Sequence, residues 1–370
     1  VRAGGSLFRD LSNVQIPGVD AIWNQIWPET VNDFPKFASS VSHAYGKPRA
    51  FSESFAAYYT SPSIPQAKYV VDYQIVRGIN FFEFMFWMAG SSRDNWMTDP
   101  GMKGLNDYTN RATYLMAQGV PGARIAVYYP TSTLWLGDNA VNPDLVSIAQ
   151  ILLQHQKDFD WVDDDAFTEA LSVTGDGFRN LSGQTYSTLI IPSCDVISTS
   201  AWDKMMEFAA AGGKILFWGR KPTMLAGRSF MGPSPVPDTP DLLQEPSVSW
   251  TPTVAAAMPA PEMEIILPPK PETPRRGSRT GAEEQKPDPA SFIRYTARTL
   301  TDGSLFFLFN EGEQECSFKA AFDRSGSVRA WDASSGEVSA LSATAEDGKT
   351  VLEMKLAPWE SRIISIGDQR

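Results

Sequence analysis

The chain has 370 residues, 42% hydrophobic and 20% charged, with a formal net charge of −11 and a pI near 4.8. That length favours two or three domains with full cores, and the acidic balance excludes the basic footprint that nucleic acid or an anionic membrane surface requires. Cys194, Cys316, His43 and His155 are the only cysteines and histidines. They are too few and too scattered for a disulfide framework or a His-rich metal centre. No cofactor is implied, and an oxygen-ligated calcium, which leaves no clear signature, stays open.

There is no apolar run of roughly 18 residues, so no transmembrane helix is expected. The chain opens on Val1 with no signal peptide. It reads as a processed or truncated product, secreted or periplasmic, whose targeting signal lies elsewhere. The 11 Trp, 21 Phe and 11 Tyr are a rich supply of aromatics. Most belong in cores, and some can form sugar-stacking platforms.

In chain order, "PGVDAIWNQIWP" (17–28) is a short apolar run closed by Pro28. "NDFPKFASSVSHAYG" (32–46) places Phe34, Phe37, Val41 and Tyr45 at helical spacing and stops at a glycine. "RAFSESFA" (49–56) reads as a strand, and "SIPQAKYVVDYQIVRG" (63–78) as a helix with proline in its first turn. "INFFEFMFWM" (79–88) reads as a buried aromatic strand. This alternation implies parallel strands with right-handed crossovers. Three strands cannot close an eight-stranded barrel, so a (β/α)₈ reading makes 1–105 the last strands and helices of a barrel whose earlier part is another segment or chain.

Residues 106–222 read as a second α/β unit, doubly wound in the flavodoxin style, opened by the helix "YTNRATYLMAQG" and built on "ARIAVYYP", "STLIIPSC" and "KILFWG" with helices between. Residues 223–290 are rich in Pro and charge and read as an excursion or linker, partly disordered. Residues 291–370 carry short strands with turn residues between them and predict a terminal antiparallel β-sandwich. The expected fold class is therefore α/β plus β.

Glu53 is the leading candidate for chemistry. Phe51 and Phe55 flank it on its own strand face, where a carboxylate is costly unless the face opens on water or a ligand. At the C-terminal end of a barrel strand it reads as catalytic; the alternative is a rim acid bonded to Arg49 or a nearby serine. Asp20, followed by Trp23 and Trp27, suits a sugar subsite, in which carboxylates take hydroxyls and indoles cover the ring; the alternative is a helix N-cap. Glu83, within "NFFEFMFW", should be buried and hence functional or paired with Arg49 or Arg77. Trp87 could line the same mouth. His43 is expected to be structural. Cys194 ends a strand where glutamine-amidotransferase-like sheets carry their nucleophile, but its context is "PSCDV" and no His follows residue 155. An inactive version of that fold is the reading here.

The order of these motifs resembles the last three strand–helix steps of the barrel in the α-L-rhamnosidases of glycoside hydrolase family 106. "GVDAIWNQIWP", "FPKFASSVSHAYGKPRAFSESFAAY" and "QAKYVVDYQIVRGINFF" carry the resemblance. "ARIAVYYPTSTLWLGD" and "LIIPSCDVIS" with "AAAGGKILFWG" resemble the amidotransferase-like domain that follows, which is similar to the trimerisation domain of family 42 β-galactosidases. The resemblance implies that Glu53, in a seventh-strand "SES" stretch, is a catalytic carboxylate, a base on water with inversion or, as in retaining barrels, a nucleophile. It implies a substrate-holding role for Asp20 and a general acid from a fourth strand outside this chain. The eighth-strand stretch departs from the family, having "FFEFMFW" where a His is expected. The expected partners are a glycoside or oligosaccharide, the remaining barrel and a homo-oligomer. The rival is a non-catalytic sugar-binding or assembly module.

Overall fold

The computed structural model describes residues 6–28, 30, 32–58, 61–85, 99–175, 177–227, 232–268 and 288–367. Its first sheet has three parallel strands in chain order, β1 (Gly18–Ala21), β2 (Phe51–Ser54) and β3 (Phe81–Phe84). The connections run through α1 (Pro35–Ala44) and α2 (Ile64–Ile75), and α3 (Met102–Met116) follows. Proline in the first turn presets φ for both α1 and α2. The amide of Ser63 donates to Gln66 Oε1 at 2.8 Å and secures the start of α2. Gly78 ends that segment at φ +93°, and a Cβ there would stand 2.7 Å from Ser39 Cβ of α1. Glycine is required by both backbone and packing.

Among the described residues this sheet is an open arc. The expectation that 79–88 forms a buried strand does not hold over its described part, since Phe81 is 46% exposed and Glu83 is exposed, while 86–88 lie outside the described residues. β3 is an edge of the arc, so only its helix-facing side, Phe82 and Phe84, packs into the core.

The second sheet is wholly parallel, in the order β8-β7-β6-β4-β5: β4 (Ile125–Tyr128), β5 (Phe159–Val162), β6 (Thr188–Pro192), β7 (Lys214–Trp218) and β8 (Leu243–Glu245). The first four are buried almost throughout, as a sheet covered on both faces requires. α4 (Asn142–Gln154) packs on one face and α5 (Thr199–Ala210) on the other. α3, which the sequence suggests opens this unit, packs instead with α2 and the terminal sandwich through Leu105, Tyr108 and Met116.

The Pro-rich stretch also differs from expectation. Within 232–268 it supplies β8 to the parallel sheet, a short helix over Pro252–Ala257 whose Val254 and Ala257 are fully buried, and β9 (Met263–Ile266) to the sandwich. Pro252 sits at the start of that helix, where a missing N–H costs nothing. The most charged part, 269–287, lies outside the described residues.

The C-terminal strands are β10 (Ile293–Thr299), β11 (Gly303–Asn310), β12 (Cys316–Phe322), β13 (Ser327–Trp331), β14 (Val338–Leu341), β15 (Thr344–Glu346), β16 (Lys349–Leu356) and β17 (Ser361–Gly367). They form antiparallel sheets ordered β9-β12-β16-β15 and β14-β13-β17-β11-β10, the latter extended by Val120–Pro121. Their facing sides enclose Phe306, Leu308, Phe318, Phe322 and Ile364.

Buried charge joins the layers. Asp160 of β5 is fully buried and accepts from Gln184 Nε2 at 2.9 Å and the Tyr186 hydroxyl at 3.0 Å. His43 Nδ1 of α1 lies 3.0 Å away and Lys36 Nζ of α1 3.8 Å away, while Lys36 also pairs with Asp158 at 2.6 Å. Burial alone would raise the Asp160 carboxyl, but His43, Lys36 and the Gln184 bond hold it well below the usual carboxylate range. His43 is structural, as expected. On the other side, Asp72 of α2 binds Lys68, the Tyr108 hydroxyl of α3 and the Ser361 hydroxyl of β17. Arg77 and Arg294 flank Glu311, and the Arg77 guanidinium lies 3.4 Å from the Tyr73 ring centroid.

Removing one member of such a cluster strands the others in low dielectric. Asp160→Ala is expected to cost about 3–5 kcal/mol, read as a lower denaturant midpoint at pH 7. A midpoint equal to that of the parent chain would show that the cluster does not hold α1 to the sheet.

Candidate active site

β1, β2 and β3 pair in register, so that Asp20 stands opposite Glu53 and Glu53 opposite Glu83. Side chains at one register position share a face, and parallel neighbours lie about 4.8 Å apart. Three acids therefore form one row, at the third of four residues in each strand and so near the C-terminal ends of the arc. Gly18, Phe51 and Phe81 form the row below on the same face, with the Phe51 and Phe81 rings 5.8 Å apart.

The opposite face is set by the helices. Val19 and Phe82 pack beneath α1 with Ala38, Ala50 and Ile79. Ser52 and Ser54 are fully buried there, 3.1 Å apart, and Gln74 Nε2 of α2 donates to Ser54 Oγ at 3.0 Å. Because side chains alternate along a strand, the serines that hold β2 against α2 force Glu53 to the open side.

The residues proposed to neutralise these acids are occupied elsewhere. Arg49 donates to the Asn80 carbonyl at 3.0 Å, and Arg77 is buried against Glu311. Asp20 lies inside β1 and caps no helix. Glu83 is exposed rather than buried, since nothing among the described residues covers its side of β3. With no ion pair among the described residues, the row is a patch of like charge. Partial burial raises the proton affinity of Glu53 above the ordinary carboxylate range, and the charges of Asp20 and Glu83 raise it further. Among the described residues no cluster of three or more His, Cys, Asp or Glu side chains has metal-binding geometry.

The turns leaving β1 and β2 are strained. Trp23, Asn24, Phe55 and Ala57 have φ of +52°, +54°, +77° and +55°, a region that costs residues with a Cβ about 1–3 kcal/mol each. They interlock: Phe55 N–H donates to the Ala21 carbonyl at 3.0 Å, and Trp23 N–H to the Ala56 carbonyl at 3.4 Å. No periodicity or motif marks these positions in the sequence. The outcome is an indole, Trp23, that is 59% exposed two residues past the end of β1.

Not every expected site residue joins this row. Trp27 is turned into a separate cleft with Tyr69 and Trp359. Trp87 lies outside the described residues. Cys194 follows β6 and is fully buried, and burial, with Asp164 and Asp195 nearby, pushes its thiol far above the ordinary value. It cannot serve as a nucleophile, which needs exposed thiolate.

The chain superposes on solved carbohydrate-active enzymes at low sequence identity. A rhamnosidase from Novosphingobium sp. PP1Y matches with a TM-score of 0.70 and 18% identity, over 98% of this chain and 36% of that one. An apo exo-carrageenase of family 42 from Bacteroides ovatus matches with a TM-score of 0.57 and 11% identity, over 98% and 49%. A β-galactosidase from Bacillus circulans sp. alkalophilus gives 0.55 and 11%, over 98% and 61%. These likenesses bear on the fold, and the chain spans about a third of the length of the rhamnosidase. No curated protein matches the sequence. The family model for glycoside hydrolase 106, α-L-rhamnosidase, matches residues 12–229, more than half of the chain and all of the acid row. The chain belongs to the family 106 α-L-rhamnosidases.

Proposed function

We propose that this chain forms one wall of a glycoside hydrolase active site, with Glu53 as its catalytic carboxylate and α-L-rhamnosides as the substrate class. The observation that carries the reading is the acid row: three carboxylates at one register, with no ion pair among the described residues, on the open face of a parallel arc. Glycoside hydrolysis needs one ionised and one protonated carboxyl on either side of the scissile bond. Asp20, Glu53 and Glu83 stand side by side, so they serve one side of the sugar. The general acid faces them from the opposite wall, which further barrel strands supply.

In this scheme Glu53 takes a proton from water as the oxygen attacks the anomeric carbon, while the facing acid protonates the leaving oxygen. The configuration inverts. The field of Asp20 and Glu83 makes Glu53 a stronger base for that proton. Asp20 and Glu83 also accept hydrogen bonds from sugar hydroxyls, and Trp23 covers an apolar ring face. The secreted or periplasmic setting and homo-oligomeric assembly are further parts of the proposal.

In the enzyme that contains this segment, Glu53→Gln is expected to lower kcat roughly 100- to 10,000-fold with little change in substrate affinity. Turnover of an aryl rhamnoside checks it, and a variant that retains kcat would sink the assignment.

Asp20→Asn removes a charge that raises the proton affinity of Glu53. Its loss should move the acidic limb of the normalised kcat/KM profile to lower pH, toward the ordinary carboxylate range. An unmoved limb would mean that Glu53 does not set it.

A further inference from the structure

A cleft of about 340 Å³ lies between the arc and the terminal sandwich, with none of the row acids in its lining. Trp27, from the segment after β1, and Trp359, from the turn between β16 and β17, both line it. Their indoles are 40% and 47% exposed. Tyr69 also lines it, and the polar lining is Gln66 and Glu313. The backbone amide of Ser63 occupies Gln66 Oε1, which leaves the amide NH₂ to donate. Glu313, in the turn between β11 and β12, is exposed and pairs with no cation among the described residues.

The Trp359 turn is the second, independent sign. Pro358 precedes it, the Glu360 amide donates to the Ala357 carbonyl at 3.2 Å, and Trp359 takes φ +61°. A left-handed third residue after proline is the place for glycine. A large, half-exposed aromatic there is strained, and strain held at one surface residue points to use. The strain is what lifts the indole out beside the cleft.

We infer that this cleft is a second, non-catalytic carbohydrate subsite, which takes one pyranose ring of the substrate glycan between Trp27 and Trp359. The polarised C–H bonds of an apolar sugar face suit the electron-rich indole faces. Gln66 and Glu313 supply one donor and one acceptor for the ring hydroxyls, the pattern of a largely apolar pocket with a few placed polar groups. None of the three row acids lines the cleft, so it holds a unit other than the one being cleaved. The inference rests on the carbohydrate reading of the chain but not on the role of Glu53.

The test is an NMR titration of the whole chain with ¹⁵N-indole-labelled tryptophan. Methyl α-L-rhamnopyranoside, methyl α-L-fucopyranoside and methyl β-D-galactopyranoside are the probes. At least one should shift the Trp27 and Trp359 resonances together with one saturation curve. Trp359→Gly should weaken binding at Trp27 at least tenfold and melt at or above the parent temperature, since glycine relieves the turn. Trp27→Ala should weaken binding at Trp359 equally, which keeps the test decisive if Trp359→Gly does not fold. Glu53→Gln should leave both curves unchanged. Shifts in that variant alongside undiminished turnover would discard the catalytic role of Glu53 and keep the subsite. The inference is overturned if no probe shifts either indole, if the two saturate independently, or if the shifts track protein self-association rather than sugar.

Discussion

The structure depends on where it buries charge. Asp160 sits at zero exposure in β5 and gathers donors from one segment of its own unit, at Gln184 and Tyr186, and from α1 of the arc. A carboxylate can stay ionised there only with that full set of partners, and the partners reach it only if α1 lies across the edge of the second sheet. Asp72 and Glu311 make the same demand on the other flank, tying α2 to α3 and to the sandwich. Hydrophobic contact brings the layers together without direction; these clusters set their orientation. α1 and α2 being fixed, the strands they flank are fixed, and so is the face that carries Asp20, Glu53 and Glu83.

Against that well-satisfied interior, the mouth of the arc breaks the rules. Like charges share one register, four residues with a Cβ adopt left-handed backbone, and an indole stands in solvent. Each feature costs stability, and natural chains keep such costs where function draws on them. The Trp359 turn has the same character at a second place.

Much of the arc was legible from the residues. Pro35 and Pro65 start the helices, Gly46 and Gly78 follow their ends, and the alternation in "FSES" placed Glu53 on one face with Phe51. The reading of Glu83 went astray because its aromatic neighbours in sequence are Phe82 and Phe84, which alternation sends to the other face. The 223–290 reading went astray because composition reports mean polarity, whereas β8 and the helix over Pro252–Ala257 need only a few apolar residues at the right spacing. α3 was correctly a helix but packs on the other side of the boundary drawn for it, since a helix's own period does not say which core it serves.

By itself, the sequence determined the alternation of strands and helices in the arc and which strand face Glu53 takes, because those follow from local backbone preferences and from periods of 2 and 3.6. Register between strands is a non-local property, fixed by helices packing from far along the chain. Only the tertiary structure could decide that Asp20, Glu53 and Glu83 form one row, that Arg49 and Arg77 are spent elsewhere, and that Trp27 turns away to meet Trp359, 332 positions along the sequence.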